Sequence, residues 1–174
     1  MERPDERLLV PAYENPLVAM GQGTIGMEIA LEMALRGIDR FAVLVPAGGG
    51  GMLAGIATWL APEVPVFGVE SDAHPFISLS FRSQRIVQPG SFFHVETDAD
   101  GIALQRPGQS GFPNILRYVR DVVTIPEDLV RGGIAYLHDE GYLAEGASAS
   151  PLAALLYGAL NLESYGLPPN VPVV

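Results

Sequence analysis

The chain has 174 residues, enough for one domain with its own core, and 48% hydrophobic against 17% charged residues is a globular balance. It has no cysteine, which excludes disulfides and thiolate chemistry, and a formal net charge of −10, which speaks against nucleic-acid or membrane-surface partners. A cytoplasmic setting fits this composition, the N-terminal MERPDERLL has no apolar signal core, and all ten basic residues are arginine, so lysine is absent.

In chain order, residues 8–13 form a short possible strand. Asn15-Pro16 is a helix start, with Asn as N-cap and Pro in the first turn. Apolar positions recur at helical spacing to Leu35, and Gly37 ends the helix. The unbroken apolar run 41–46 predicts a strand buried on both faces, 52–60 a helix and 64–69 a second buried strand. This β, α, β succession is the pattern of a parallel crossover. Residues 41–62 are uncharged over a bilayer-spanning length. Pro46 and four consecutive glycines near the middle favour strand, loop and helix over a membrane span.

Residues 74–83 read as helical. From there to Gly111 the chain is rich in turn residues and reads as irregular, with room for one short strand. A helix over 112–120, a strand over 122–125, a helix over 126–140 ended by Gly141, a helix over 151–165 and a strand over 171–174 follow. The class is α/β, a mainly parallel sheet with helices on both faces.

Residues 44–55 read LVPAGGGGMLAG. A glycine-rich turn from a strand into a helix is an anion site. The first helical N–H groups lack intrahelical partners, the helix dipole adds positive charge, and without Cβ atoms successive amides can curl around phosphate oxygens. Such a field is local, so an acidic protein can hold an anion there. The plainer alternative is a tight turn with close helix–sheet packing. Gly49, Gly51 and Ala54 also fit GxGxxA, with Glu70 where a ribose-binding acid would sit; this keeps a nicotinamide-dinucleotide enzyme open. GQGTIG at 21–26 fits GxGxxG but follows no strand, and reads as small residues where a helix packs closely. A P-loop is excluded because it needs a lysine.

Other candidates are weaker. His74, His94 and His138 lack metal-ligand spacing. Asp98 and Asp100 begin a calcium-loop pattern that is not completed. GQSGF at 108–112 departs from a nucleophile elbow in its last residue and follows no strand.

Val10-Pro11, Asn15-Pro16 and GQGTIGMEI (21–29), LVPAGGGGMLAG, VFGVES (66–71), ADGIALQRPG (99–108), DVVTIPEDLV (121–130) and EGASASPLAALL (145–156) resemble, in this order, the threonine dehydratases. These are pyridoxal-phosphate enzymes of the tryptophan-synthase-β fold type (fold type II). The resemblance implies that Gly48, Gly49, Gly50, Gly51 and Met52 form the cup for the 5′-phosphate of pyridoxal 5′-phosphate. It places Gly101 and Ile102 near the pyridine ring, and Glu145 near the ring or on the substrate side. It implies an amino-acid substrate and β-elimination of L-threonine or L-serine to ammonia and a 2-oxo acid. In some relatives a metal is held by a glutamate after the second strand, a carbonyl and an aspartate. Glu70 and His74 match the first two, but Phe76 replaces the aspartate, so no metal site is expected.

The family's chemistry needs a lysine to hold the cofactor as a Schiff base and move the α-proton, and arginine cannot replace it. The lysine precedes the region seen here, together with a small substrate lobe. The expectation is therefore a single incomplete cofactor-binding domain over 1–174, lacking the lobe and the lysine-bearing segment. Alone it is inactive, and it self-associates or binds a complementing chain. A non-catalytic binding module for a phosphorylated ligand is the other class.

Overall fold

Asn15 starts the first helix by the chemistry of its side chain. In a computed structural model that describes residues 9–90, 93 and 95–174, α1 spans Pro16–Leu35, and the Asn15 side chain accepts the Leu17 N–H at 2.8 Å. The helix closes where Ile38 N–H returns to Met33 O, with Gly37 at φ +67°. Then follow β1 (Val43–Pro46), α2 (Gly51–Leu60), β2 (Val66–Ser71) and α3 (Phe76–Ser83). A short 3₁₀ turn at Asp100–Ile102 precedes α4 (Phe112–Tyr118), β3 (Val119–Ile125), α5 (Glu127–Asp139) and α6 (Gly146–Leu156). A second 3₁₀ turn lies at Leu162–Tyr165.

The strands form a parallel sheet in the order β1-β2-β3, with Val43 opposite Val66 and Val69 opposite Val123. Alternation along the strands divides the core. Val43, Val45, Val66 and Val122 pack with α2 and the inner residues of α1, α3 and α4. Leu44, Phe67, Val69 and Ile125 face α5 and α6. Helices on both faces of a parallel sheet are what the apolar runs predict.

The GQGTIG segment lies inside α1, where Gly23 and Gly26 are buried against α2. A Cβ at Gly55 would stand 2.2 Å from Ala19 O and 2.8 Å from Gly23 N. Its glycines serve close helix packing, not a dinucleotide. Residues 41–62 divide into strand, loop and helix. Among the described residues no helix is long and apolar enough to cross a membrane.

Several expectations are corrected. Leu8 lies outside the described residues, and 9–13 form no strand; residues 12–14 turn, so that Tyr13 packs on the glycine loop. No strand occurs among the described residues between 84 and 118. The helix expected over 151–165 starts at Gly146, with Pro151 inside it. Proline removes the N–H that would reach Ala147 O, and the Ser150 hydroxyl donates to that carbonyl instead, at 2.8 Å. This helix ends at Leu156, and Gly158 at φ +73° turns the chain away. The C-terminal strand is a single parallel bridge, Ala42 to Val173, flanked by Leu44 N–H to Val174 O at 2.8 Å.

Candidate functional site

β1 leads directly into the glycines. Ala47 N–H still donates to Val69 O in the sheet at 2.7 Å. Gly48 and Gly49 then leave the sheet edge, Gly50 takes φ +82° as N-cap, and α2 begins at Gly51. Two carbonyls of this turn are engaged: Gly49 O accepts Gly108 N–H at 2.9 Å, and Gly50 O accepts Ala54 N–H at 2.8 Å. The amides are not. Among the described residues, the N–H groups of Gly48, Gly49, Gly50, Gly51 and Met52 donate no hydrogen bond. Successive amides without partners, at the positive end of a ten-residue helix, form an anion cradle.

Side chains would destroy this turn. A Cβ at Gly48 would lie 2.9 Å from Ile102 Cα. One at Gly49 would lie 2.2 Å from Tyr13 Cγ, and one at Gly50 would lie 2.6 Å from Ile115 Cδ1. The same contacts show how the candidate residues assemble. Gly48 touches Ile102, so the 3₁₀ turn forms the wall beside the cradle. Gly101 adjoins Glu145, whose Oε1 lies 3.2 Å from where a Gly101 Cβ would stand. Glu145 is the exposed N-cap residue of α6. All eight sequence candidates thus fall in one neighbourhood.

Sequence reasoning missed Tyr13, whose ring lies over Gly49 and lines a cleft of about 620 Å³ with Gly90, Leu104 and Arg106. It also missed Glu14, which fastens the loop before α4. Its carboxylate pairs with Arg106 at 2.7 Å and accepts Gln109 N–H at 3.0 Å, and its carbonyl accepts the Ser110 hydroxyl at 2.8 Å. Ser110, the near-match to a nucleophile, is therefore a tether. The one available signal was position: Tyr13-Glu14 adjoins the Asn15-Pro16 start.

Glu70 is turned into the interior. Its carboxylate accepts Ile77 N–H at 3.0 Å and Ser78 N–H at 2.6 Å, so it caps α3 and is not presented to a ribose. Burial pushes its pKa up to about 7 from 4.5, against the opposing effect of those two N–H groups and Arg82. A carboxyl whose folded pKa is raised binds its proton more tightly when folded. Its contribution is complete below about 4.5 and is lost as pH rises through about 7. Glu70→Gln removes this titration. Denaturant unfolding on either side of the window should show the native chain losing roughly 3 kcal/mol that the variant does not lose.

Asp98, the first residue of the calcium-like pattern, pairs with Arg131 at 2.5 Å. His74 is buried with its ring edge-on to Phe93, and His138 is exposed on α5. His94 lies outside the described residues.

A parallel sheet whose first strand runs through four glycines into a helix with unpartnered amides defines an α/β protein with a candidate anion site. The chain belongs to the pyridoxal-phosphate dependent enzymes, whose family profile matches residues 1–166. It is 43% identical over 153 residues to the L-threonine ammonia-lyase of Geobacter sulfurreducens, covering 86% of this chain and 36% of that protein. It is 38% identical over 159 residues to the catabolic L-threonine dehydratase of Escherichia coli K12, covering 89% and 46%. The crystal structure of the T.th. threonine deaminase superimposes with a TM-score of 0.81 at 32% identity, over 92% of this chain and 56% of that one. The chain thus spans less than half the length of these two curated relatives.

Proposed function

We propose that this chain forms the phosphate-binding part of a pyridoxal-phosphate dependent dehydratase acting on L-threonine or L-serine. The unpartnered amides of Gly48 to Met52 carry this reading, because they match a phosphate monoester in charge and in hydrogen-bonding sense. Bound there, pyridoxal phosphate would supply an electron sink for β-elimination, the substrate hydroxyl leaving as water and the nitrogen as ammonia.

The residues of this chain hold and orient. The five amides grip the phosphate. Ile102, buried against Gly48, gives the ring an apolar wall. Glu145, exposed beside Gly101, offers a carboxylate at the rim that can hold a proton or a polar substrate atom. Gly49 and Tyr13 stay in contact so that the turn keeps its shape. None of these groups is an amine nucleophile, and lysine is absent from all 174 residues. The α-proton step therefore needs a lysine from polypeptide outside this chain, consistent with the longer relatives.

Two measurements test this. The chain with pyridoxal phosphate and L-threonine should form 2-oxo acid no faster than cofactor without protein. Phosphorus NMR should show the cofactor phosphate bound and displaced by inorganic phosphate. Ammonia release by the chain alone overturns the need for an outside lysine, and a phosphate signal unchanged by protein overturns the cradle.

A further inference from the structure

In a planar trans peptide the C=O and the following N–H point in opposite directions, so a bonded carbonyl aims the next amide. Two amides of the glycine turn are aimed in this way. Gly50 O is held by Ala54 N–H, the first bond of α2, so the helix itself directs the Gly51 N–H out of its N-terminus. Gly49 O is held by Gly108 N–H at 2.9 Å, so the Gly50 N–H is directed by a segment remote in sequence. No local side chain can do this. The peptide joins two glycines, and without a Cβ on either side its rotation meets little resistance.

Gly108 is held in turn from both sides by one residue. The Glu14 carboxylate pairs with Arg106 at 2.7 Å and accepts Gln109 N–H at 3.0 Å, and the Glu14 carbonyl accepts the Ser110 hydroxyl at 2.8 Å. Tyr13 leaves no slack between them: a Cβ at Gly108 would stand 2.6 Å from Tyr13 O and 3.0 Å from its Cδ2. The Glu14 side chain is 29% exposed, against 50% for Glu32 in its ion pair with Arg36, so solvent screens the Glu14 contacts less. Resting on the phosphate-binding reading above, we infer that Glu14 is a positioning residue for the phosphate. It sets the 106–110 loop so that Gly108 grips Gly49 O and the Gly50 amide faces the anion. The sign of the effect separates this role from plain electrostatics. A carboxylate repels phosphate, so its removal would tighten binding if charge alone mattered, whereas loss of an aimed amide weakens it.

Inorganic phosphate, pyridoxal 5′-phosphate and unphosphorylated pyridoxal are titrated into the native 174-residue chain and into Glu14→Ala. The variant should bind both phosphates about tenfold more weakly and pyridoxal equally well. Glu14→Gln keeps an oxygen for Gln109 N–H and should lose less; it carries the same test should the alanine variant fail to fold by circular dichroism. Amide NMR reads the cause. Saturating phosphate should shift the Gly50 and Gly51 signals of the native chain. In the Glu14 variants the Gly50 shift should shrink while that of Gly51, aimed by α2, persists. Arg36→Ala breaks an ion pair at the C-terminal end of α1 and should leave phosphate affinity unchanged. Phosphate binding that Glu14→Ala leaves unchanged or tightens overturns the inference and spares the cradle. So does a loss shared by pyridoxal, by Gly51 or by Arg36→Ala, which would mark a general loosening of the fold. A native chain that binds no phosphate overturns the cradle, and this inference with it.

Discussion

Gly50→Val should bind pyridoxal 5′-phosphate about a hundredfold or more weakly than the unaltered chain. Gly50 stands at φ +82°, a left-handed conformation that costs an L-residue roughly 1–2 kcal/mol. A Cβ there would lie 2.6 Å from Ile115 Cδ1 and 3.3 Å from Ile77 Cδ1, so valine's further carbons have no free direction. The turn must rotate, and the amides of Gly51 and Met52 rotate with it. A hydrogen bond to a charged group contributes about 1.5–3 kcal/mol, so two misdirected donors remove about 3–5 kcal/mol of binding, or a factor of a hundred to several thousand. Titration with pyridoxal 5′-phosphate and with unphosphorylated pyridoxal isolates this contribution. The native chain should prefer the phosphorylated form by at least about a hundredfold, and Gly50→Val should lose most of that preference. Equal affinity of the native chain for both ligands would show that the amides do not receive phosphate.

The second large effect belongs to the fold. Gly55→Val drives a Cβ to 2.2 Å from Ala19 O and 2.8 Å from Gly23 N, and both are backbone atoms that no rotamer change can move. The two helices must separate, and the packing of Gly23 and Gly26 against α2 is lost with the contact. Overpacking in so tight a place costs about 3–5 kcal/mol. At roughly 2–4 °C per kcal/mol for a domain of this size, the thermal midpoint should fall by about 10 °C or more. Gly21→Ala is the matched control: nothing lies within 4 Å of its Cβ position, so it should be neutral or stabilise slightly. A loss at Gly21 as large as that at Gly55 would contradict the packing account of the GQGTIG segment.

Local chemistry was legible wherever one short window holds the whole cause. Asn15-Pro16 announces the α1 start because the cap bonds only two residues ahead. The apolar run 41–46 and the following glycines announce strand and turn because burial and φ freedom are properties of those residues themselves. The eight candidate residues were found by resemblance, and their assembly depends on pairs such as Gly48 with Ile102. The start of α6 was misread because Pro151 usually opens a helix. What overrides it is Ser150 bonding Ala147 O, together with Gly146 fitting where a Cβ would come within 2.2 Å of Asp98 O. Glu70 shows the limit from the other side. Its place at the end of β2 suited a ribose contact, and only its burial against Ile77 and Ser78 makes it a helix cap.

The amino-acid order by itself determined the three-stranded βαβ core and most of its helices, the alternation that gives the sheet two buried faces, the side-chain-free turn, and the absence of any amine side chain; it did not determine the ends of α6, the turn at 12–14 or the single bridge at Val173. The tertiary structure decided that Tyr13 closes over Gly49, that Glu14 holds the 106–110 loop some 95 residues away, and that Gly55 is the point where α1 meets α2. The division follows from range. Backbone conformation and burial pattern are set by neighbours along the chain, whereas a close approach between distant segments exists only after the sheet has brought them together.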